Sequence, residues 1–371
     1  MDTIPAEIGD YRIEIPLHIG RFDYIRTIGS GSFSVVALVA DRATQIQYAC
    51  KICSRQQLLE QCIFDRFERE VRLMQSFRHP SLVAIEDVVY DQNLIYLVME
   101  YCFNGELFQV IAERGVLDEN TSRRIFAQIS EGVAYIHSHN IAHRDIKPEN
   151  ILLDAEMNAK ITDFGLCHQV DPNNLLKTPC GSPFYAPPEI ISNQPYDGKL
   201  SDVWSLGVVL YTMVTGALPW KESNQMQLYR QIIDANFIIP RNLSLTLRDL
   251  ISRLMRPDPN DRLPVTEILR HPWILEGEEF MNSSKNFGAL GMNTALGASD
   301  SKQSHSSCLK NKPLIIRPNV ANETNFSSFG GSSQMKHILR RVPPSRKNQG
   351  SFVKNPISSV VIKKKANRPA Q

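Results

Sequence analysis

Residues 142–150 read AHRDIKPEN. Pro148 cannot continue a helix, so this stretch, which follows the helical periodicity of TSRRIFAQISEGVAYIHSH, is a loop leading into the apolar run ILL at 151–153. Within nine residues the loop holds Asp145, Lys147 and Asn150. Asp145 can accept a hydroxyl proton or hold a hydroxyl in line, Lys147 can neutralise a transferring phosphoryl group, and Asn150 offers a neutral oxygen to a hard cation. Thirteen residues after Asn150, Asp163 in ITDFGL supplies an anionic oxygen of the kind Mg2+ prefers. Two carboxylates and an amide around a metal-phosphate suit in-line phosphoryl transfer, which needs positioning and charge neutralisation more than covalent chemistry. Each residue alone also fits a polar surface loop, so the reading depends on partner segments elsewhere.

Three such segments lie upstream. IGSGSFSVV, residues 28–36, sits between strand-like runs, and Gly29 and Gly31 would let backbone amides approach a phosphate closely. By itself the glycine pair equally describes a hairpin turn. The strand pattern that follows it argues against a dinucleotide-binding βαβ unit, which would continue as a helix. Lys51 interrupts the apolar strand YACKI and, taken alone, reads as a solvent-facing charge. Its neighbours Cys50 and Cys53 are three apart on a strand and so point to opposite faces, which disfavours a metal or redox pair. In FDRFEREVRLMQSFRHP, Phe64, Phe67, Val71 and Met74 recur at helical spacing, with Glu70 at the edge of that face. A carboxylate there can reach inward to a lysine, although spacing does not exclude Glu68.

Length and composition set the frame. The 371 residues are enough for a substantial core, and seven scattered cysteines suit a reducing, cytoplasmic compartment rather than a disulfide framework. The first twenty residues lack the pattern of a signal peptide, and no run approaches the roughly 18 apolar residues of a membrane span. From Glu276 onward there are 15 Lys and Arg against 5 Asp and Glu, so the tail carries +10 and the body −8. An acidic body argues against a general nucleic-acid binder. FDYIRTIG, FSVVALVAD, QYACKI and LIYLVMEY are rich in β-branched and aromatic residues and predict an antiparallel sheet. Later segments are helical: Ile125, Ile129, Val133 and Ile136 share one face, and LSDVWSLGVVLYTMVTG is apolar nearly all round, as a buried helix is. Strands followed by helices imply an α+β fold in two lobes. The last 96 residues include 25 Ser and Asn with no sustained period, which predicts disorder.

The landmarks GSGSFSVV, YACK, Glu70, HRDIKPEN, DFG, PPE and SDVWSLG occur in this order, and together residues 22–274 resemble a eukaryotic protein kinase domain. The resemblance implies a β-rich N-lobe over 22–101, a helical C-lobe over 102–274, an N-terminal extension over 1–21 and a tail over 275–371. It implies ATP and Mg2+ as cofactors and protein hydroxyls as substrates. Asp145 would be the catalytic base with Lys147 beside it, Asn150 and Asp163 the Mg2+ ligands, and Lys51 the partner of the α/β-phosphates, held by Glu70. Gly29, Gly31 and Val36 would cover ATP, Ala49 and Leu152 would sandwich adenine, Glu100 and Cys102 would present backbone groups to it, and Glu106 resembles the residue near the ribose.

Lys147 and the following PEN resemble serine/threonine kinases. EYCFNGELF, KTPCGSPFYAPPE and HPWI are similar to the calcium/calmodulin-dependent group and its AMP-activated-kinase relatives. That likeness implies a basophilic preference through Glu106 and Glu149. It also implies activation by an upstream kinase at Thr178, whose phosphate would meet Arg144, and a structural ion pair between Glu189 and Arg262. The chain departs from the family pattern at Ser34, Cys50 and Pro187. A catalytically silent kinase-fold scaffold is the alternative; such proteins usually lose one of Lys51, Asp145, Asn150 and Asp163, and all four are present. In the tail, VIKKKANRP reads as a nuclear signal or an anionic-lipid contact, and MKHILRRVPPSRK as a calmodulin-binding or autoinhibitory element, against the plainer reading of a solvated tail.

Overall fold

The computed structural model describes residues 3–276, apart from residue 10 and the stretches 32–33, 171–174 and 222–223. The readings of the tail beyond 276 lie outside the described residues.

The chain begins with an antiparallel hairpin of β1 (Thr3–Ile8) and β2 (Tyr11–Pro16), where the sequence reading placed only an extension. Its pattern alternates, with Ile8 and Ile15 fully buried and Glu7 and Arg12 outward. Next come β3 (His18–Ile19), β4 (Phe22–Ser30), β5 (Ser34–Asp41) and β6 (Gln47–Ser54), then α1 (Arg55–Glu60), α2 (Phe64–Ser76), β7 (Ile85–Tyr90) and β8 (Leu94–Glu100). The six strands form one antiparallel sheet in the order β3-β4-β5-β6-β8-β7. The four expected strands are β4, β5, β6 and β8. The sheet curls until its edges meet: Arg21, in the β3–β4 turn, pairs with Glu86 of β7 and with Asp41 at 3.0 Å. Leu58 of α1 and Phe67 and Val71 of α2 pack on Ile95 and Leu97.

The second half is helical, as expected. After β9 (Gly105–Glu106) come α3 (Leu107–Arg114), α4 (Glu119–Ser138), the short strands β10 (Ile141–Ala142), β11 (Ile151–Leu153), β12 (Ala159–Ile161) and β13 (His168–Gln169), and then α5 (Pro188–Ile191), α6 (Gly198–Thr215), α7 (Gln225–Ile233) and α8 (Leu245–Leu254). Asp118 starts α4 by accepting the amides of Asn120 and Thr121. Ile125, Ile129, Val133 and Ile136 of that helix are all fully buried, each contributing roughly 1.5–3 kcal/mol. Helix α6 is buried on every side and ends at Gly216, with φ of +69°. A Cβ there would come within 2.0 Å of the Gly115 carbonyl oxygen, so glycine is required by both backbone and space. Among the described residues no helix is long and apolar enough to cross a membrane.

Glu189 and Arg262 meet in two parallel hydrogen bonds of 2.7 Å, with the guanidinium also 5.2 Å above the Trp204 ring. The bidentate geometry offsets the desolvation of both charges. Replacing Arg262 by Met is expected to strand the Glu189 carboxylate and destabilise the domain by roughly 3–5 kcal/mol. Adding Glu189→Gln should restore part of that loss, both read by thermal or urea unfolding.

Candidate active site

The loop 143–147 is shaped from beneath by α6. Asp202, with no solvent exposure, accepts the backbone amides of His143 at 2.8 Å and Arg144 at 2.7 Å, and pairs with His137 Nε2 at 2.8 Å. These bonds hold Arg144 at φ +67°, a conformation costly for a residue with a Cβ. His143 donates from Nε2 to the Thr162 carbonyl at 3.1 Å and accepts the Asp145 amide at Nδ1 at 3.3 Å.

So oriented, Asp145 is 4% exposed, and its carboxylate gathers the neighbouring side chains. Its Oδ2 accepts Lys147 Nζ at 2.7 Å and Asn150 Nδ2 at 3.0 Å. Its Oδ1 accepts the Ser182 amide at 3.1 Å and hydroxyl at 3.2 Å, while Lys147 Nζ also donates to Ser182 Oγ at 3.0 Å. Burial lowers the Lys147 pKa, but Asp145 and Glu149 more than reverse this, so the ammonium is held above its usual range. Asp145, Lys147 and Asn150 are therefore brought together, and Ser182 joins them unanticipated. The only hint in the sequence was its place after Gly181 in CGSP. Gly181 has φ of +91°, and a Cβ there would lie 2.6 Å from the Arg144 carbonyl oxygen, so glycine lets the segment 176–186 cross the loop closely.

Lys51 extends from β6, paired with Val36 on one side and Leu97 on the other. Burial lowers its pKa, and Glu70 together with Asp163 outweighs that and holds it above the ordinary lysine range. Conversely, burial and Asp163 lift the Glu70 carboxyl, against the pull of Lys51. The two carboxylates converge at Gly165, where a Cβ would lie 3.3 Å from an oxygen of each. Asp163 itself is left-handed, φ +63°, and Arg66 of α2 donates to the Gly165 carbonyl at 2.6 Å. Phe164 is buried between Phe77 and His143, with centroids at 5.2 and 5.1 Å. Among the described residues no three His, Cys, Asp or Glu side chains form a metal site of their own. A single carboxylate and an amide suit Mg2+ held partly by substrate phosphates, so Asp163 and Asn150 fit that ion.

The other candidates lie on β4, β5, β6, β8, β9 and β11 or in the turns beside them. Gly29 pairs with Val36, and the Gly31 amide donates to the Ser34 carbonyl at 2.7 Å, closing a tight turn. Val36 and Ala49 share an apolar cluster with Ile28 and Leu38. The Glu100 side chain bonds Lys160 Nζ at 2.6 Å and its amide donates to the Ala84 carbonyl. Cys102 accepts the Gly105 amide, and burial followed by the Glu100 charge pushes its thiol up to about 12. Leu152 pairs with Glu106 across β11 and β9. Burial, then repulsion from Glu149, raises the Glu106 pKa to about 8, with Lys147 pulling the other way. The buried Glu149 Oε2 has no hydrogen-bond partner among the described residues.

Thr178 is exposed, and its carbonyl accepts the Tyr196 hydroxyl at 3.0 Å. That hydroxyl in turn accepts Arg144 Nη1 at 3.3 Å, and Arg144 Nε donates to the Leu166 carbonyl at 2.7 Å. Arg144 and Thr178 are thus joined through Tyr196, a link that the sequence reading did not include.

Residues 22–274 match the protein kinase domain family. The chain is 43% identical over 248 residues to the serine/threonine protein kinase OSK3 of Oryza sativa subsp. indica, covering 67% of this chain and 49% of that one. It is 43% identical over 248 residues to the SNF1-related protein kinase catalytic subunit alpha KIN12 of Arabidopsis thaliana, covering 67% and 50%. It is 35% identical over 306 residues to the CBL-interacting protein kinase 32 of Oryza sativa subsp. japonica, covering 82% and 70%. The alignments to OSK3 and KIN12 thus span about half the length of those relatives. The chain belongs to the protein kinase family, in the serine/threonine group that includes the SNF1-related and CBL-interacting kinases.

Proposed function

We propose that the protein transfers the γ-phosphoryl group of ATP to serine or threonine hydroxyls of protein substrates, with a preference for basic sequences and activation at Thr178. The observation that carries this reading is the buried Asp145, bonded to Lys147, Asn150 and Ser182, together with Lys51 lying in the field of Glu70 and Asp163. Asp145 holds the acceptor hydroxyl in line and takes its proton. Lys147, kept cationic by its carboxylate neighbours, balances charge on the moving phosphoryl group. Lys51, set by Glu70, pairs with the nucleotide phosphates. Asp163 and Asn150 would hold Mg2+, which when bound supplies charge neutralisation between the phosphates. The silent-scaffold alternative requires none of these contacts.

Labelled ATP, Mg2+ and a peptide library test the assignment. Asp145→Asn and Asp163→Asn are each expected to lower kcat by about 100-fold or more while the protein stays folded. Incorporation equal to wild type by either would reject that residue's role.

The basic preference rests on Glu106 and Glu149, two partly buried carboxyls that both draw on Lys147, so that Glu106, raised by burial and by the Glu149 charge, has no cation of its own at ion-pair distance among the described residues. An upstream arginine of the substrate would supply it. Because Glu106 is partly protonated near neutrality and arginine selects its ionised form, the KM for an arginine-containing peptide should fall as pH rises from about 6.5 to about 8.5. Glu106→Gln should raise that KM and flatten its pH profile, while a peptide lacking the arginine shows neither effect.

Activation rests on the Arg144–Tyr196–Thr178 link. A phosphate on the exposed Thr178 adds about two negative charges that the Arg144 guanidinium can meet, ordering the segment. Phosphorylation by an added upstream kinase is expected to raise the activity of the wild type at least about tenfold and that of Thr178→Ala not at all. Equal activity of the two after that treatment would remove the switch.

A further inference from the structure

The β1–β2 hairpin covers the face of the sheet opposite the cleft. Along β5 and β6, Val36, Leu38 and Ala49 face one way, while Val35, Ala37, Val39, Cys50 and Ile52 face the other, where they pack with Ile8 and Ile15 of the hairpin. Cys50, a departure from the family pattern, is therefore part of the hairpin's seat. Val35 pairs with Ile52 and the adjacent Val36 with Lys51, so strand alternation joins the hairpin's support to the residues that face the cleft.

The hairpin also reaches two further elements of the β-rich region. Glu7 and Arg12 border, with Thr27 and Ser30, a crevice of about 380 Å³ at the base of the glycine turn. At the same turn end of the hairpin, where Tyr11 pairs with Ile8, the Tyr11 hydroxyl donates to the carboxylate of Glu60, the last residue of α1. Leu58 of α1 packs with Phe67 and Val71 of α2, the helix that carries Glu70. One small element thus bears on the glycine turn, on the Lys51 strand and, through Tyr11 and Glu60, on the Glu70 helix.

We propose that Tyr11 is a positioning residue for nucleotide binding, fixing through Glu60 the relation between the glycine turn and the helix that orients Lys51. The inference rests on the reading of the cleft as an ATP site. A cover that only stabilises the sheet would act on folding; this contact acts on nucleotide affinity.

The test uses the full chain with Mg2+ and ATP, comparing Tyr11→Phe, Glu60→Ala, Glu60→Gln and the double variant Tyr11→Phe/Glu60→Ala. Tyr11→Phe and Glu60→Ala are each expected to raise the Kd for ATP about 3- to 10-fold while kcat at saturating ATP stays within about twofold. Glu60→Gln, which keeps an acceptor oxygen, should stay within about twofold of wild type, and the double variant should be no worse than the singles. Amide exchange should rise at residues 29–31 and 64–76 with the melting temperature unchanged. Unchanged affinity in both single variants, or affinity losses that follow a fall in melting temperature, would overturn the proposal. Wild-type protein that binds no ATP would overturn the nucleotide reading and this inference with it.

Discussion

Asp202 sits inside α6 with no solvent exposure, and a carboxyl group there is tolerated only because its oxygens are occupied by hydrogen-bond donors. Two of those donors are the consecutive amides of His143 and Arg144, which fixes a backbone turn that Arg144 would not otherwise adopt. The rest of the loop inherits its direction from that turn. His143 braces Thr162 and the Asp145 amide, Asp145 is directed into the cleft, and Lys147 and Asn150 fold back on its carboxylate. A rigid apolar helix therefore supplies the reference against which a polar loop is placed to within hydrogen-bond tolerance.

The charged groups of the cleft form two linked sets. Lys51 lies among Glu70 and Asp163, and Lys147 among Asp145 and Glu149, so each ammonium remains a cation despite burial. On the Glu106–Glu149 side burial raises both carboxyls, and the Glu149 charge raises Glu106 further while Lys147 pulls both down. Coulombic energy of this kind is strong in a poorly solvated cleft and depends on what binds there. On the proposed function, anionic phosphates would meet the Lys51 end of this arrangement and a substrate cation the Glu106–Glu149 end.

The small β-rich region has two layers where the sequence pattern suggested one. Its curled sheet turns one face to the cleft, and the hairpin closes the other with Ile8 and Ile15. Every strand of the middle of the sheet is thus buried on both faces, which is why FSVVALVAD is nearly continuous in apolar residues rather than alternating.

The sequence by itself determined the element types, because periodicity and proline placement are local: α2, α4 and α6, the strands β4, β5, β6 and β8, and the loop after β10 all lie where their patterns put them. It also exposed Asp145, Lys147, Asn150 and Asp163, whose residue types and spacing already suggest phosphate chemistry. The first hairpin was legible in the alternation of YRIEIP but was too short and too close to the terminus to stand out. Only the tertiary structure could decide that Ser182 lies 3.2 Å from Asp145, 37 residues away, or that Asp202 supports a loop 58 residues earlier. It likewise made Tyr196 the link between Arg144 and Thr178. The physical reason is that hydrogen bonding between distant segments depends on how the helices and sheet pack, and packing is a property of the whole chain rather than of any window along it.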